Sequence, residues 1–254
     1  METLFIGKNL LFLHEVESTN TYAMDLLRNV NAIEGTVVYT DNQTHGKGQR
    51  GSLWTSKIAQ NITASIILKP QFLSIDQTFY LSKISALAVY DVLADILPGG
   101  QYDIKIKWPN DILVNEHKLA GILIENNFTN LVIHNSVIGI GLNVNQDDFN
   151  DFERTATSLK LLSNTIHSRE EVLERICMKL EKWYLKLKEQ KTNVVDETYL
   201  KRLFGLNQLM GFVDDKGNRF NGRITGVTSS GKLIIESNAD SKREFDVKEV
   251  KFCV

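Results

Sequence analysis

The chain has 254 residues, with 29 Lys and Arg against 31 Asp and Glu and a net charge of −2. Hydrophobic residues make up 43% and charged residues 24%, which excludes a disordered chain, while the balanced charge excludes a general nucleic-acid coat and leaves room only for a local basic loop. Two cysteines, Cys177 and Cys253, exclude a disulfide framework and point to a reducing compartment, and the scattered histidines His14, His45, His117, His134 and His167 predict no structural zinc.

The first residues lack a basic region, and the apolar run Leu10-Leu11-Phe12-Leu13 stops at His14 and Glu15, so the N-terminus does not read as a signal peptide. No uncharged run approaches the length of a membrane span. The expectation is a cytoplasmic protein without membrane contact, in which the sequons at Asn61 and Asn127 carry no meaning.

Ser18-Thr19-Asn20 is an N-cap signal before the apolar positions Tyr22, Ala23, Leu26 and Leu27, predicting a helix to about Arg28. Residues 36–40 and 61–68 read as strands. A long helix is predicted from Ser74, with Gln77 completing a capping box and Phe79, Ile84, Leu87, Ala88, Val92 and Ile96 as its apolar positions; Pro98-Gly99-Gly100 should end it. Short β-rich runs follow at 104–108, 112–114, 119–124 and 131–140. Ser168 and Glu171 open another helix with a stripe of Val172, Leu173, Ile176, Leu180, Trp183 and Leu187, and a short helix runs from about Val194 to Gly205. Beyond Gly205 helical periodicity stops. Gly211, Gly217, Gly222, Gly226 and Gly231 punctuate short apolar segments such as Leu233-Ile234-Ile235, the pattern of a small all-β barrel. The expected fold is α+β in two parts, residues 1–203 and 204–254.

Gly46-Lys47-Gly48-Gln49-Arg50-Gly51 satisfies G-x-G-x-x-G, but no helix pattern opens after it and no acidic residue follows before Asp76, so a dinucleotide site is rejected. Its glycines and two cations suit an anion cradle; a solvated turn between strands fits the loop alone equally well. Gly226-Val227-Thr228-Ser229-Ser230-Gly231-Lys232-Leu233 nearly spells a phosphate-binding loop. Leu233 stands where a hydroxyl is needed and no helix follows, so it reads as a hairpin turn. Lys107-Trp108-Pro109-Asn110-Asp111, Lys118 to Glu125, and Gly139 to Asn145 each read singly as a turn or a strand.

Their order and spacing together carry more. With Glu17-Ser18-Thr19-Asn20 and the loop 46–54, these segments resemble the biotin–protein ligases, the enzymes that attach biotin to carboxylase carrier proteins. The resemblance runs from about His14 to the C-terminus. It implies a class II aminoacyl-tRNA synthetase/biotin synthetase-like mixed sheet with flanking helices, followed by a small SH3-like barrel. Ser18 already opens the first helix, so a monofunctional ligase is expected, without the winged-helix DNA-binding domain of some members and without specific DNA binding. The segment 1–20 holds one lysine, Lys8, against Glu2, Glu15 and Glu17, and is no basic arm.

The resemblance implies that biotin and ATP give biotinyl-5′-adenylate and pyrophosphate, and that biotin then passes to a lysine of a biotin carboxyl carrier protein. It places Ser18, Thr19, Asn20, Gln43, Gly46, Lys47, Lys118, Gly121 and Ile122 at biotin, with Gly121 and Ile122 in the apolar wall. It places Lys47, Gln49, Arg50, Trp54, Asn110, Lys118 and Asn143 at the nucleotide. Lys118, Arg50 and Asp111 are the implied catalytic residues. Lys118 bridges carboxylate and phosphate, Arg50 holds phosphate, and Asp111 either orients the acceptor lysine or contacts metal through water. The family loop carries Arg where Lys47 and Gln49 stand here, so one fork and one charge are lost. Magnesium is expected because pyrophosphate is the leaving group, with ligands the sequence does not name. A homodimer and the identity of the carboxylase stay open. A lipoate or octanoate ligase of the same fold lacks a use for the polar set at Ser18 to Asn20 and Gln43. A biotin-responsive DNA regulator is disfavoured by the charge, and a nicotinamide oxidoreductase by the loop context.

Overall fold

The computed structural model describes residues 2–97, 99–149, 155–237 and 241–253, with Arg50 as main chain only. Among the described residues, twelve strands form two sheets and five α-helices accompany them. The first part runs β1 (Leu10–Val16), α1 (Thr19–Val30), β2 (Val37–Gln43), β3 (Ile62–Leu68), α2 (Phe79–Ile96), β4 (Ile104–Lys107), β5 (Asp111–Val114), β6 (His117–Thr129), β7 (Val132–Leu142), α3 (Leu159–Ser163), α4 (Arg169–Lys188) and α5 (Thr192–Lys201). Its seven strands lie in the order β1-β2-β3-β7-β6-β5-β4. Only β1 and β2 are parallel, so the sheet is mixed.

Two elements were not anticipated. β1 is an edge strand on which Leu10 and Phe12 stay exposed, and its continuous apolar run shows no clear alternation. α3 is five residues long, too short for a period to show. The capping box at Ser74 and Gln77 forms, but it closes a 3-10 turn at Ile75–Gln77, and α2 starts after it at Phe79. The last helix ends at Lys201, and the chain turns at Gly205 with φ +73°, a conformation glycine adopts without strain.

Strand alternation divides the sheet into two unlike faces. One presents Ile62, Ala64, Ile66, Ile138, Ile140, Leu142, Ala120 and Ile122 to α2, which is apolar nearly all round and is sandwiched between the sheet and α4. The other meets α1 through a small cluster of Ala23 and Leu27 on Val38, Ile67 and Val137. Past that cluster the second face carries no further apolar cluster among the described residues, and the candidate site lies there. Among the described residues no helix is long and apolar enough to cross a membrane.

The second part is a five-stranded antiparallel sheet of β8 (Leu209–Asp214), β9 (Arg219–Val227), β10 (Leu233–Ser237), β11 (Lys242–Phe245) and β12 (Val250–Phe252), ordered β11-β10-β9-β8-β12. Phe212 stacks on Phe220 at 5.5 Å between centroids and Phe220 on Phe245 at 5.7 Å. The run 226–233 is the turn between β9 and β10, closed by Gly231 N–H to Thr228 O at 3.1 Å. This turn docks on the first part. Trp108 Nε1 donates to Gly231 O at 2.8 Å, and a Cβ at Gly231 would meet the Phe79 ring at 2.5 Å.

Candidate active site

The polar end of the site begins at the first turn of α1. Ser18 is extended, and its Oγ caps the helix by accepting from Thr21 N–H at 3.5 Å. Ser18, Thr19 and Asn20 are all buried, so their polar atoms need partners. Thr19 N–H and Oγ1 lie 2.8 and 3.0 Å from Gln43 Oε1, at the end of β2. A backbone N–H only donates, which fixes the Gln43 oxygen toward Thr19 and its Nε2 away from it. That nitrogen borders Gly46, where a Cβ would lie 2.9 Å from it. Ser65 Oγ sits 2.6 Å from Asn20 Oδ1 and 2.7 Å from Thr19 Oγ1, and Asn20 Nδ2 donates to Glu125 Oε2 at 2.9 Å.

Glycines form the floor. Gly141 pairs with Gly121, Gly121 with Asp111, and Gly139 with Ser65, so these residues share one face. A Cβ at Gly141 would stand 2.2 Å from Trp54 Cε2, one at Gly121 3.1 Å from Trp54 Cζ3, and one at Gly139 2.3 Å from Asn20 Oδ1. The flat backbone therefore lets an indole and an amide approach where side chains would project. Trp54 is held by its main-chain N–H to Gly46 O at 2.9 Å, with a bridge between Lys47 and Leu53 closing the loop around a 3-10 turn at Gln49–Gly51.

Lys118 reaches this face because β6 is irregular. The register shifts between Ile112 and Leu113 of β5, so the extra residue lets Leu119 and Ala120 both enter the core and brings Lys118 up beside Gly121. Lys118 Nζ then lies 2.7 Å from Asp111 Oδ1 and 5.6 Å from the Trp54 ring centroid. Its main chain is clamped by Lys118 N–H to Thr155 O and Thr157 N–H to Lys118 O, each 3.0 Å. The Lys118 side chain is partly exposed and that of Asp111 largely covered, so the pair is screened by water on one side.

The remaining expected residues distribute unevenly. Asn110 donates through Nδ2 to Ile122 O at 2.9 Å, and Asn143 through Nδ2 to Thr157 O at 3.0 Å, so both amides also brace the main chain around Lys118. Lys47 is exposed at the loop, and the side chain of Arg50 lies outside the described residues. Ile122 turns its side chain to the opposite face, into the core under α2, because it follows Gly121 by one residue. It is not in the wall that holds Trp54. Gln49 lines a cavity of about 130 Å³ together with Pro109, Asn110, Ser230 and Asp246, where the loop meets the second sheet. Lys107 also faces that sheet, 5.0 Å from the Phe252 centroid. Ser65, Glu125, Gly139 and Gly141 had no assigned role in the sequence. A serine inside the apolar strand Ile62–Leu68 and glycines two apart in β7 were the available signals. Among the described residues no cluster of three or more His, Cys, Asp or Glu could hold a metal ion.

Residues 12–143 match the model of the Biotin/lipoate A/B protein ligase family. The bifunctional ligase/repressor BirA of Bacillus spizizenii is 33% identical over 246 residues, spanning 96% of this chain and 74% of that protein. A biotin–[acetyl-CoA-carboxylase] ligase of Paracoccus denitrificans is 29% identical over 232 residues, spanning 89% and 94%. The biotin protein ligase of Aquifex aeolicus, solved with biotin and ATP, superposes with a TM-score of 0.78 at 26% identity over 97% of this chain and 99% of that one. The glycine-floored face with its lysine–aspartate pair, and a match that spans more than half of the chain, thus place this protein in the biotin/lipoate A/B protein ligase family, with biotin protein ligases as its relatives.

Proposed function

We propose that the protein is a biotin protein ligase. It activates biotin with ATP to biotinyl-5′-adenylate, releases pyrophosphate, and transfers biotin to a lysine of a biotin carboxyl carrier protein. The observation that carries this reading is the juxtaposition on one sheet face of a polar end at Thr19 and Gln43, a glycine floor, and the Lys118–Asp111 pair. A cyclic urea needs donors and acceptors together, which the first group supplies; a thin apolar chain fits the second; an anion meets the third.

In the first step a biotin carboxylate oxygen attacks the α-phosphorus, and the bond to the bridging oxygen breaks with its electrons leaving on pyrophosphate. Two unit negative charges repel by about 4 kcal/mol at ~4 Å and an effective dielectric of about 20. Lys118 lies beside the floor and offsets that repulsion by electrostatics, with no proton transfer assigned to it. Lys47, Arg50 and Gln49 of the loop, with Asn110 and Asn143 behind Lys118, complete the nucleotide side, and Trp54 shelters it. In the second step the acceptor amine attacks the acyl carbon, the bond to the phosphate oxygen breaks, and AMP leaves. Asp111, which pairs with Lys118 at 2.7 Å, is the carboxylate to which we assign the orienting of that incoming lysine.

Magnesium belongs to this reading as a companion of the nucleotide. It keeps several waters and binds mainly through phosphates and one or two carboxylates. The described residues offer no dedicated ligand cluster, and Asp111 already pairs with Lys118. A cytoplasmic setting suits the two free cysteines, Cys177 and Cys253. Neither specific DNA nor a membrane enters the proposal. Biotin-dependent exchange of labelled pyrophosphate into ATP tests it. Exchange with biotin and none with lipoate or octanoate supports the reading; the reverse preference overturns it in favour of the other branch of the family.

A further inference from the structure

Asn20 is the most constrained polar side chain of the site. It is 3% exposed, and both ends of its amide are engaged. Nδ2 donates to Glu125 Oε2 at 2.9 Å and to Leu123 O at 3.4 Å, while Oδ1 accepts from Ser65 Oγ at 2.6 Å. Glu125 lies on β6 two strand positions beyond Leu123 and four beyond Gly121, hence on the site face. Its distance along the strand from Lys118 keeps it away from the reacting groups.

The direction of the hydrogen bonds follows from Glu125. A carboxylate accepts and does not donate, so it draws the NH₂ end of Asn20 and leaves the oxygen for Ser65. The single proton of Ser65 then goes to Asn20, and the Ser65 oxygen, 2.7 Å from Thr19 Oγ1, is left to accept. With Asn20 reversed, its NH₂ would face Ser65, the Ser65 proton would turn to Thr19, and the lone pairs of Thr19 would be used inside the protein. The single Thr19 proton would then go to Gln43 Oε1, 3.0 Å away, while the Gln43 amide keeps its orientation because Thr19 N–H holds it in either case. Gly139 permits the flat pose of the amide, since a Cβ there would stand 2.3 Å from Asn20 Oδ1.

We propose that Glu125 is a positioning residue: by accepting the Asn20 amide it sends the Thr19 hydroxyl proton to Ser65 and so sets which lone pairs Thr19 presents to the ureido group of biotin, beside a Gln43 already oriented by the Thr19 main chain. The proposal rests on the ligase reading above and deepens it, by assigning recognition of the cyclic urea to a chain of hydrogen bonds that starts outside the pocket.

The test is pyrophosphate exchange with the parent, Glu125→Ala and Glu125→Gln. A glutamine can still turn an oxygen toward Asn20, whereas alanine cannot. Loss of one charge-assisted hydrogen bond should raise the biotin KM of Glu125→Ala about tenfold. The kcat and the ATP KM should stay within about twofold, and Glu125→Gln should restore the biotin KM to within about threefold. Ser65→Ala breaks the chain from the other end and should reproduce the selective rise if Glu125→Ala folds poorly. An unchanged biotin KM, a uniform loss in all three constants, or a glutamine form as impaired as the alanine form overturns the proposal. A parent without biotin-dependent exchange would overturn the ligase reading and this role with it. The Asn20 side-chain amide resonances separate the cases: they shift on Glu125→Ala whenever the Glu125–Asn20 bond exists, whichever ligand is bound.

Discussion

The two faces of the large sheet are written by alternate residues of the same strands, and they have opposite fates. In β7, Ile138, Ile140 and Leu142 enter the core under α2, while Gly139 and Gly141, between them, have no side chain to offer. In β3, Ile62, Ala64 and Ile66 do the same on one side, and Ser65 looks out on the other. One face is filled by the chain itself. The other is kept low and polar so that Trp54, Asn20 and, in our reading, a bound molecule can lie on backbone. Stability and chemistry are thus separated by a single residue of register, and the β6 bulge is what moves Lys118 from the first role to the second.

The largest expected effect breaks the chemical face alone. Lys118→Ala should lower biotin-dependent exchange by about 10²–10³, the usual loss for one preorganised charge donor, with an unchanged circular dichroism spectrum. Exchange within tenfold of the parent would remove Lys118 from its proposed role. Adjacent substitutions in β7 sharpen the contrast. Ile140→Ala opens a cavity in the packed face and should cost about 2–5 kcal/mol in urea unfolding, with little change in activity per folded molecule. Gly141→Ala puts a methyl where Trp54 lies. Overpacking costs about 1–3 kcal/mol, but Trp54 sits on a surface loop and can withdraw, so the cost should appear as a biotin KM raised about tenfold and a melting temperature moved by no more than about 3 °C. Equal effects of the two variants on both measurements would mean that the faces are not functionally distinct.

The smallest effect lies at the margin, just after β7, where Asn145 brackets His167 by Nδ2 to His167 O at 2.8 Å and by Oδ1 to His167 N–H at 3.0 Å. Burial, and after it the Arg175 charge, hold the His167 imidazole below its usual 6.5. The unfolded chain therefore takes up this proton first, and stability declines as the pH falls below about 6.5 until the folded value is passed. His167→Gln should reduce the slope of unfolding free energy against pH in that window; an identical slope would show that other groups carry it.

Much of this arrangement is legible in the sequence, because local signals dominate where it is. The Ser18 cap, the stripe of α4 and the turn at 226–233 follow from neighbours within a few positions. β1 is not, since it is an edge strand without a clear period. The floor of the site is legible only as glycines two apart, and the use of Ser65 and Glu125 not at all, because their partner Asn20 is 45 and 105 residues away in sequence. Ile122 shows the converse: as the next residue after Gly121 it lies on the other face of the sheet. Gln49, which the loop motif sends toward phosphate, lines a cavity whose far wall, with Ser230 and Asp246, belongs to the second sheet, a neighbour no local pattern announces.

The account's central claim is that the glycine-floored face activates biotin and delivers it to a protein lysine. Its most direct test is the intact mass of a biotin carboxyl carrier domain incubated with the purified protein, ATP, magnesium and biotin. The account predicts one biotin added to one lysine of the carrier, lost in Lys118→Ala and restored for that variant when chemically made biotinyl-adenylate replaces biotin and ATP. A carrier left unmodified by the parent protein, or one modified as well by Lys118→Ala as by the parent, would contradict it.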